Sequence, residues 1–231
     1  MRINRFLVEF DPKQTEIKIT DENLINQIKN VLKLSLEHVV NLFNGRGEEV
    51  LAEVITLNKK EVVFSVQEVF TSKDNGDKRV ILYCAILKKE NFELVAQKGT
   101  EVGVSKIVPI ITERTIKLGL NMERLQKIVK EAAEQSGRGI VTEISEPIKF
   151  IEALEQAKEN DVNFFCHFSN KSINKIKANG QIGLFIGPEG GWSDGEVEQA
   201  KEEGCEVVAL GENVLRAETA AIVSTYLISN L

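Results

Sequence analysis

The stretch best suited to chemistry is Gly187-Pro188-Glu189-Gly190-Gly191-Trp192-Ser193-Asp194-Gly195-Glu196. It follows the apolar segment Ile182–Ile186 and precedes a helix predicted over Asp194–Glu203. Glycines at a strand end let the backbone approach a ligand closely. Ser193 with Glu196 three residues on has the form of a capping box. The pattern is neither the G-x-G-x-x-G dinucleotide fingerprint nor a Walker A loop, which argues against an oxidoreductase or a nucleotide hydrolase. Taken alone, the stretch is either a ligand loop or a tight strand–helix turn.

A second stretch, Leu210-Gly211-Glu212-Asn213-Val214-Leu215-Arg216-Ala217-Glu218-Thr219-Ala220, also joins a predicted strand to a predicted helix. Glu218 falls in the first helical turn, where a carboxylate suits the dipole; Arg216 falls at the end that disfavours a cation by roughly 0.3–1 kcal/mol. Either a salt bridge to Glu212 or Glu218 offsets that cost, or an anionic ligand or substrate does. Cys166-His167-Phe168-Ser169 ends a third apolar strand. Open α/β sheets bind ligands outside the carboxyl ends of their strands, so three such loops could converge on one small molecule. Cys84, Cys166 and Cys205 are far apart, no C-x-x-C occurs, and His38 and His167 are the only histidines. A zinc site, a disulfide framework and a Ser-His-Asp triad are therefore not expected.

Two kinds of element must position these residues. The first seventy residues read as short strands (Arg5–Phe10, Thr15–Thr20, Val39–Gly45, Val50–Leu57, Glu61–Phe70) interrupted by one helix over Asp21–Leu34. That pattern predicts a small β-barrel. Thr71–Asp77 is polar, contains Asn-Gly and is expected to link two domains, residues 1–72 and 73–231. Beyond it strands alternate with helices: strands over Val80–Ile86, Lys106–Ile111, Val162–Phe168, Ile182–Ile186 and Glu206–Leu210, and helices over Phe92–Val102, Met122–Ser136, Phe150–Lys158, Asp194–Glu203 and Glu218–Ser229. Strands apolar on both faces are what a parallel sheet covered by helices requires.

At 231 residues the chain is long enough for one or two domains at roughly 150 residues each. No run approaches the ~20 apolar residues of a membrane span, and the N-terminus shows no signal-peptide core, so a cytoplasmic location is expected. The net charge is −6 but uneven: residues 1–72 hold 9 basic and 11 acidic groups, residues 73–150 hold 14 and 11, and residues 151–231 hold 6 and 13. An anionic polymer would therefore meet the middle third. There, Arg114 and Arg138 are the best candidates for phosphate contact; Arg124, Lys127 and Lys130 are equally well explained as a solvated helix face.

Five segments in order resemble the RsmE family of 16S rRNA (uracil-N3) methyltransferases, within the SPOUT superfamily. They are Gln97–Val104 (family Q-K-x-T-E-L-G-V), Thr112–Thr115, Glu131–Arg138, Gly187–Trp192 (G-P-E-G-G-[FW]) and Leu215–Ala220 (L-R-x-E-T-A). Arg5-Phe6-Leu7-Val8 is similar to the family's opening. The resemblance implies an N-terminal PUA-like β-barrel, a C-terminal SPOUT α/β domain with a trefoil knot, a homodimer, S-adenosyl-L-methionine as methyl donor, no metal, and a uridine in the small ribosomal subunit as acceptor. It places cofactor contacts on His167, Ile186, Gly187, Glu189, Gly190, Gly191, Leu210, Gly211 and Leu215. Arg216 is expected to stabilise charge on the uracil, with Glu218 or Glu189 assisting proton removal. RNA contacts are expected at Arg5, Lys33, Arg114 and Arg138. Lys33 stands where the family often has arginine; it keeps the charge but not the bidentate fork. A related enzyme acting on another RNA, and an RNA-binding protein without catalysis, are the rival readings.

Overall fold

A computed structural model describes residues 3–72, 78–116, 119–173 and 178–230; residues 73–77 of the predicted linker lie outside the described residues. The chain divides into two units, Met1–Asp74 with Glu134–Ile140, and Asn75–Ala133 with Val141–Leu231.

In the first unit, β1 (Arg5–Leu7), β2 (Glu16–Ile19), β3 (Val39–Phe43), β4 (Glu48–Leu57) and β5 (Val62–Thr71) form a sheet in the order β1-β3-β4-β5-β2. β1 runs parallel to β3, and the other ladders are antiparallel. Two register shifts in the β4–β5 ladder mark bulges, which bend a sheet and sharpen its twist. Phe6 on one edge strand and Ile17 and Ile19 on the other share a core with Val40, Leu42, Val54 and Phe64, so the sheet curls around one interior. The predicted barrel is met in part. The sheet is curled, but its described ladders run from β1 at one edge to β2 at the other without closing.

The helix expected over Asp21–Leu34 changes form midway. The Asp21 carboxylate accepts from Leu24 N at 2.8 Å and caps α1 (Glu22–Asn26). Gln27–Val31 then widens into a π-turn, closed by Leu32 N donating to Gln27 O at 2.9 Å. Ile25 and Ile28 keep their place in the core.

A polar network sets the places of Arg5 and Arg138. Glu49, 2% exposed, accepts from Arg5 Nη1 at 2.7 Å and from Asn41 Nδ2 at 2.8 Å. Arg5 Nη2 donates to Arg138 O at 3.1 Å, and the guanidinium lies 5.0 Å over the Phe43 ring. Leu7 N donates to the Glu134 carboxylate. A Cβ on Gly139 would meet Glu49 Oε1 at 2.5 Å and the Ser72 side chain, so only glycine fits there. The segment 134–140 is thus built into the N-terminal unit. Of the residues expected to contact RNA, Arg5 pairs with Glu49 and Arg138 is 7% exposed.

In the second unit every described ladder is parallel, in the order β12-β10-β11-β6-β7-β8 with β9 also on β7. The strands are β6 (Lys78–Ala85), β7 (Val104–Ile111), β8 (Glu143–Ile144), β9 (Ile148–Lys149), β10 (Val162–Cys166), β11 (Gly180–Ile186) and β12 (Glu206–Val208). The helices are α2 (Lys89–Glu101), α3 (Met122–Ser136), α4 (Phe150–Ala157), α5 (Asp194–Glu202) and α6 (Ala217–Asn230). Alternation along β6 explains the layers. Val80, Leu82 and Cys84 pack with α2, α3 and α6, whereas Ile81, Tyr83 and Ala85 pack with α4 and α5. Both faces are buried, as parallel sheets require.

Candidate active site

From β6 the chain steps to β7 on one side, while β10, β11 and β12 lie on the other. Such a reversal leaves a crevice at the strand ends. A cavity of about 840 Å³ lies there, lined by the segments that follow β6, β10, β11 and β12. That volume suits a cofactor-sized ligand, for which pockets of roughly 300–1,000 Å³ are usual.

All nine residues expected to hold the cofactor line it: His167 after β10; Ile186 at the end of β11, with Gly187, Glu189, Gly190 and Gly191 after it; Leu210, Gly211 and Leu215 after β12. Arg216 and Glu218 line it as well. So do Lys88 and Asn91, which spacing alone does not single out for a ligand. The signal that finds them is strand order, since β6 pairs with β11 and ends on the same edge.

The loop after β11 is tied down by contacts distant in sequence. Trp192, 5% exposed, stacks near Phe165 at 4.3 Å and donates Nε1–H to Cys166 O at 3.0 Å. Its indole covers Gly187 so closely that a Cβ there would lie 3.0 Å from the ring. Gly191 adopts φ +70°, closing a turn in which its N–H donates to Pro188 O at 2.9 Å. Ser193 caps α5 in the predicted capping box, with Glu196 accepting from Ser193 N at 2.9 Å. Glu189 accepts from Lys88 N at 3.1 Å, joining the loop to the start of α2.

The charges differ in how they are used. Arg216 is exposed at the residue before α6, and its backbone oxygen accepts from Ala220 N at 2.8 Å. Among the described residues its guanidinium makes no ion pair, so the bridge to Glu212 or Glu218 that would offset its position is not formed. Glu218 is 7% exposed in the first turn of α6, and its carboxylate makes no hydrogen bond or ion pair among the described residues. Burial pushes the Cys84 thiol far above its ordinary value, and the Glu189 and Glu218 carboxylates add to that rise, so both carboxylates act on one region.

Two expected cations lie elsewhere. Arg114, in the turn after β7, donates Nη1–H to Gly190 O at 2.9 Å. Lys33 is exposed in the first unit, at φ +52°, with no hydrogen bond or ion pair among the described residues. Arg124 and Lys127 pair with Glu93 and Glu131 on the surface, as a solvated helix face does. No three His, Cys, Asp or Glu side chains cluster as a metal site among the described residues, and none of their helices is long and apolar enough to cross a membrane.

Comparison with known proteins fits this geometry. Residues 74–229 match the family described as an RNA methyltransferase domain, and residues 19–67 match an RNA methyltransferase PUA domain. The chain is 31% identical over 230 residues to a ribosomal RNA small subunit methyltransferase E of Rickettsia conorii, covering 96% of this chain and 93% of that one. Among solved structures, a ribosomal RNA small subunit methyltransferase E of Neisseria gonorrhoeae bound to S-adenosyl methionine superposes with a TM-score of 0.86 at 29% identity, covering 97% of this chain and 95% of that one. A methyltransferase of Legionella pneumophila with bound cofactor SAM superposes at 0.84 and 30% identity, covering 97% and 96%.

Proposed function

The chain belongs to the RNA methyltransferase family, and from that premise we propose that it transfers a methyl group from S-adenosylmethionine to N3 of one uridine in 16S rRNA of the small ribosomal subunit. The observation that carries the reading is Arg216: a cation at a helix N-terminus, lining a cofactor-sized cavity, with its donors unused among the described residues. Methylation at N3 requires loss of the ring N3–H, and negative charge then spreads to the two flanking carbonyl oxygens. A guanidinium offers directed N–H donors to such oxygens and stabilises the charge as it develops.

The cavity residues suit the donor. Gly187, Gly190 and Gly191 leave the backbone open to close approach, while Ile186, Leu210 and Leu215 give an apolar wall. Gly211 and His167 complete the lining from the neighbouring loops. Glu218 and Glu189 present negative charge towards a ligand that carries a sulfonium and an ammonium group. S-adenosylmethionine supplies a methyl group already activated on its sulfonium. The protein's task is then alignment, worth effective molarities on the order of 10⁵ M or more. Glu218, whose carboxylate has no hydrogen bond or ion pair among the described residues, is assigned to accept or guide the N3 proton; Glu189, half committed to Lys88 N, supports it.

Lys33 is assigned to RNA contact from the PUA domain. A homodimer is part of the same reading, supported by Val223 and Tyr226, which α6 leaves exposed. The trefoil knot is what the resemblance implies, and a cytoplasmic location is the expectation from the sequence pattern. The test is transfer of labelled methyl to three acceptors from cells lacking this protein: small subunits, naked 16S rRNA and bulk tRNA. Label on small-subunit RNA, mapped to N3 of one uridine, is the expected result. Label on tRNA alone would replace the substrate. No label, with no cofactor bound, would leave an RNA-binding module.

A further inference from the structure

We propose that Arg114 and Glu196 are positioning residues that hold the Gly187–Trp192 loop in its cofactor-binding form, an inference that rests on the methyl-transfer reading above. The turn Thr112–Thr115 follows β7, a strand outside those whose ends form the cavity. It is locked by Thr112 N donating to Thr115 Oγ1 at 2.9 Å and by contact between the two hydroxyls at 2.8 Å. From this fixed turn two bonds reach the loop and its helix. Arg114 Nη1 donates to Gly190 O at 2.9 Å. Glu113 N donates to Glu196 Oε1 at 2.8 Å, while the other oxygen of the same carboxylate accepts from Ser193 N at 2.9 Å.

Glu196 is 6% exposed, and a buried carboxylate needs its acceptor sites filled. Here both oxygens receive backbone N–H groups, one from its own helix cap and one from the Thr112–Thr115 turn. The end of the loop is therefore fastened to a second element. A Cβ on Gly190 would lie 3.6 Å from Arg114 Cβ and Cδ, so the arginine side chain lies against the glycine it bonds. The middle of the loop is thus held from outside the cavity by Arg114, and its end is held by Glu196. A glycine-rich loop has many conformations to lose on binding; fixing them beforehand lowers the ordering cost of the ligand. Arg114 uses a directed donor here, where the sequence predicts only a phosphate contact.

The test compares wild type with Arg114→Ala, Glu196→Ala and Glu196→Gln by calorimetric titration with S-adenosylmethionine, by steady-state kinetics on unmodified small subunits, and by the salt dependence of RNA binding. Melting curves without ligand establish that each variant is folded. Arg114→Ala is expected to raise the cofactor Kd about tenfold, the worth of one charge-assisted hydrogen bond. KM for the cofactor rises in step, and kcat at saturation stays within about twofold, because the loop is still driven to its bound form. The slope of log affinity against log salt stays unchanged; a lost phosphate contact would lower it by about 0.7–0.9. Glu196→Ala shares the cofactor defect although it removes no positive charge that could meet RNA, and Glu196→Gln, which keeps one acceptor but turns an NH2 group towards the other backbone N–H, recovers only part of the affinity. An unchanged cofactor Kd in folded Arg114→Ala overturns the assignment, whatever happens to RNA binding. If wild type itself binds no S-adenosylmethionine, the methyl-transfer reading fails and this inference with it. If wild type binds and Arg114→Ala binds equally well, only the positioning role fails.

Discussion

Arg5 and Arg216 carry the same group in opposite circumstances. Arg5 is mostly enclosed: one donor goes to Glu49 at 2.7 Å, another to Arg138 O at 3.1 Å, and its plane rests over Phe43. Arg216 is exposed at a helix N-terminus, beside a large cavity, with no ion pair among the described residues. The first arrangement pairs both terminal nitrogens of the cation within the fold. The second leaves its donors unpaired among the described residues. Charge and residue type do not distinguish the two; the partners do. Position adds to the contrast, since a cation before α6 opposes the helix dipole and gains nothing from the fold for standing there.

The comparison is broken most directly at Glu49. Glu49→Ala leaves the Arg5 charge and the Asn41 amide without their shared acceptor in a buried setting. Removing one partner of such a pair costs about 3–5 kcal/mol. The expected result is a marked loss of stability in the N-terminal unit, read by denaturant unfolding, with the S-adenosylmethionine Kd unchanged because the cavity belongs to the other unit. If stability holds and only RNA binding falls, Arg5 is a ligand contact after all and the contrast dissolves.

Arg216→Ala tests the other side. Turnover is expected to fall about 100- to 1,000-fold, as when one oxyanion donor is removed. Cofactor affinity should stay within a few-fold. The melting temperature should stay level or rise slightly, since deletion removes a cation from the wrong helix end. A parallel fall in stability would mean that Arg216, like Arg5, holds the fold together. A parallel loss of cofactor binding would make it a cofactor ligand rather than the group that meets the uracil.

How much of this was legible in the sequence follows from where each cause lies. The bounds of α3 are as predicted, because Leu125, Val129, Ala132 and Ala133 form one buried stripe set by local spacing. The capping box at Ser193 and Glu196 is local too. By contrast, α2 begins at Lys89 rather than near Phe92, and the N–H of the residue before it is satisfied by Glu189, 101 positions away. β8 and β9, two residues each, are too short to carry a period. The segment 134–140 belongs to the N-terminal unit through Glu49 and Gly139, contacts that no window along the chain contains. At the site, residue types at strand ends pointed to the cavity, because parallel topology alone brings such ends together. The partners of Arg5, Arg114 and Arg138 are tertiary, so a basic residue that builds the fold and one that meets a ligand look alike in sequence.

The smallest expected effect concerns a residue that lines the cavity and is given no role in the chemistry. Cys166 lines the cavity, and a thiol in a cavity that would hold a methyl donor invites a role as nucleophile. Burial argues against it: removal from water pushes its thiol up to about 12 from an ordinary 9.0, against a smaller downward pull from the Ser224 hydroxyl. The thiolate is the nucleophile, so a raised pKa argues against that role at neutral pH. Cys166→Ala is expected to leave turnover roughly unchanged, and the pH–rate profile should show no thiol ionisation between about pH 6 and 9. The same shift carries a sign for stability. The folded state keeps its proton to higher pH than the unfolded chain, so the stabilisation is complete below pH 9.0 and is lost as pH rises towards about 12. Cys205, raised to about 11 mainly by burial, acts in the same direction. Melting temperatures should therefore fall above about pH 9 in wild type and fall less steeply in Cys166→Ala. An inactive Cys166→Ala protein that melts normally would return the thiol to the mechanism, and Arg216 would then no longer be enough to explain what the cavity does.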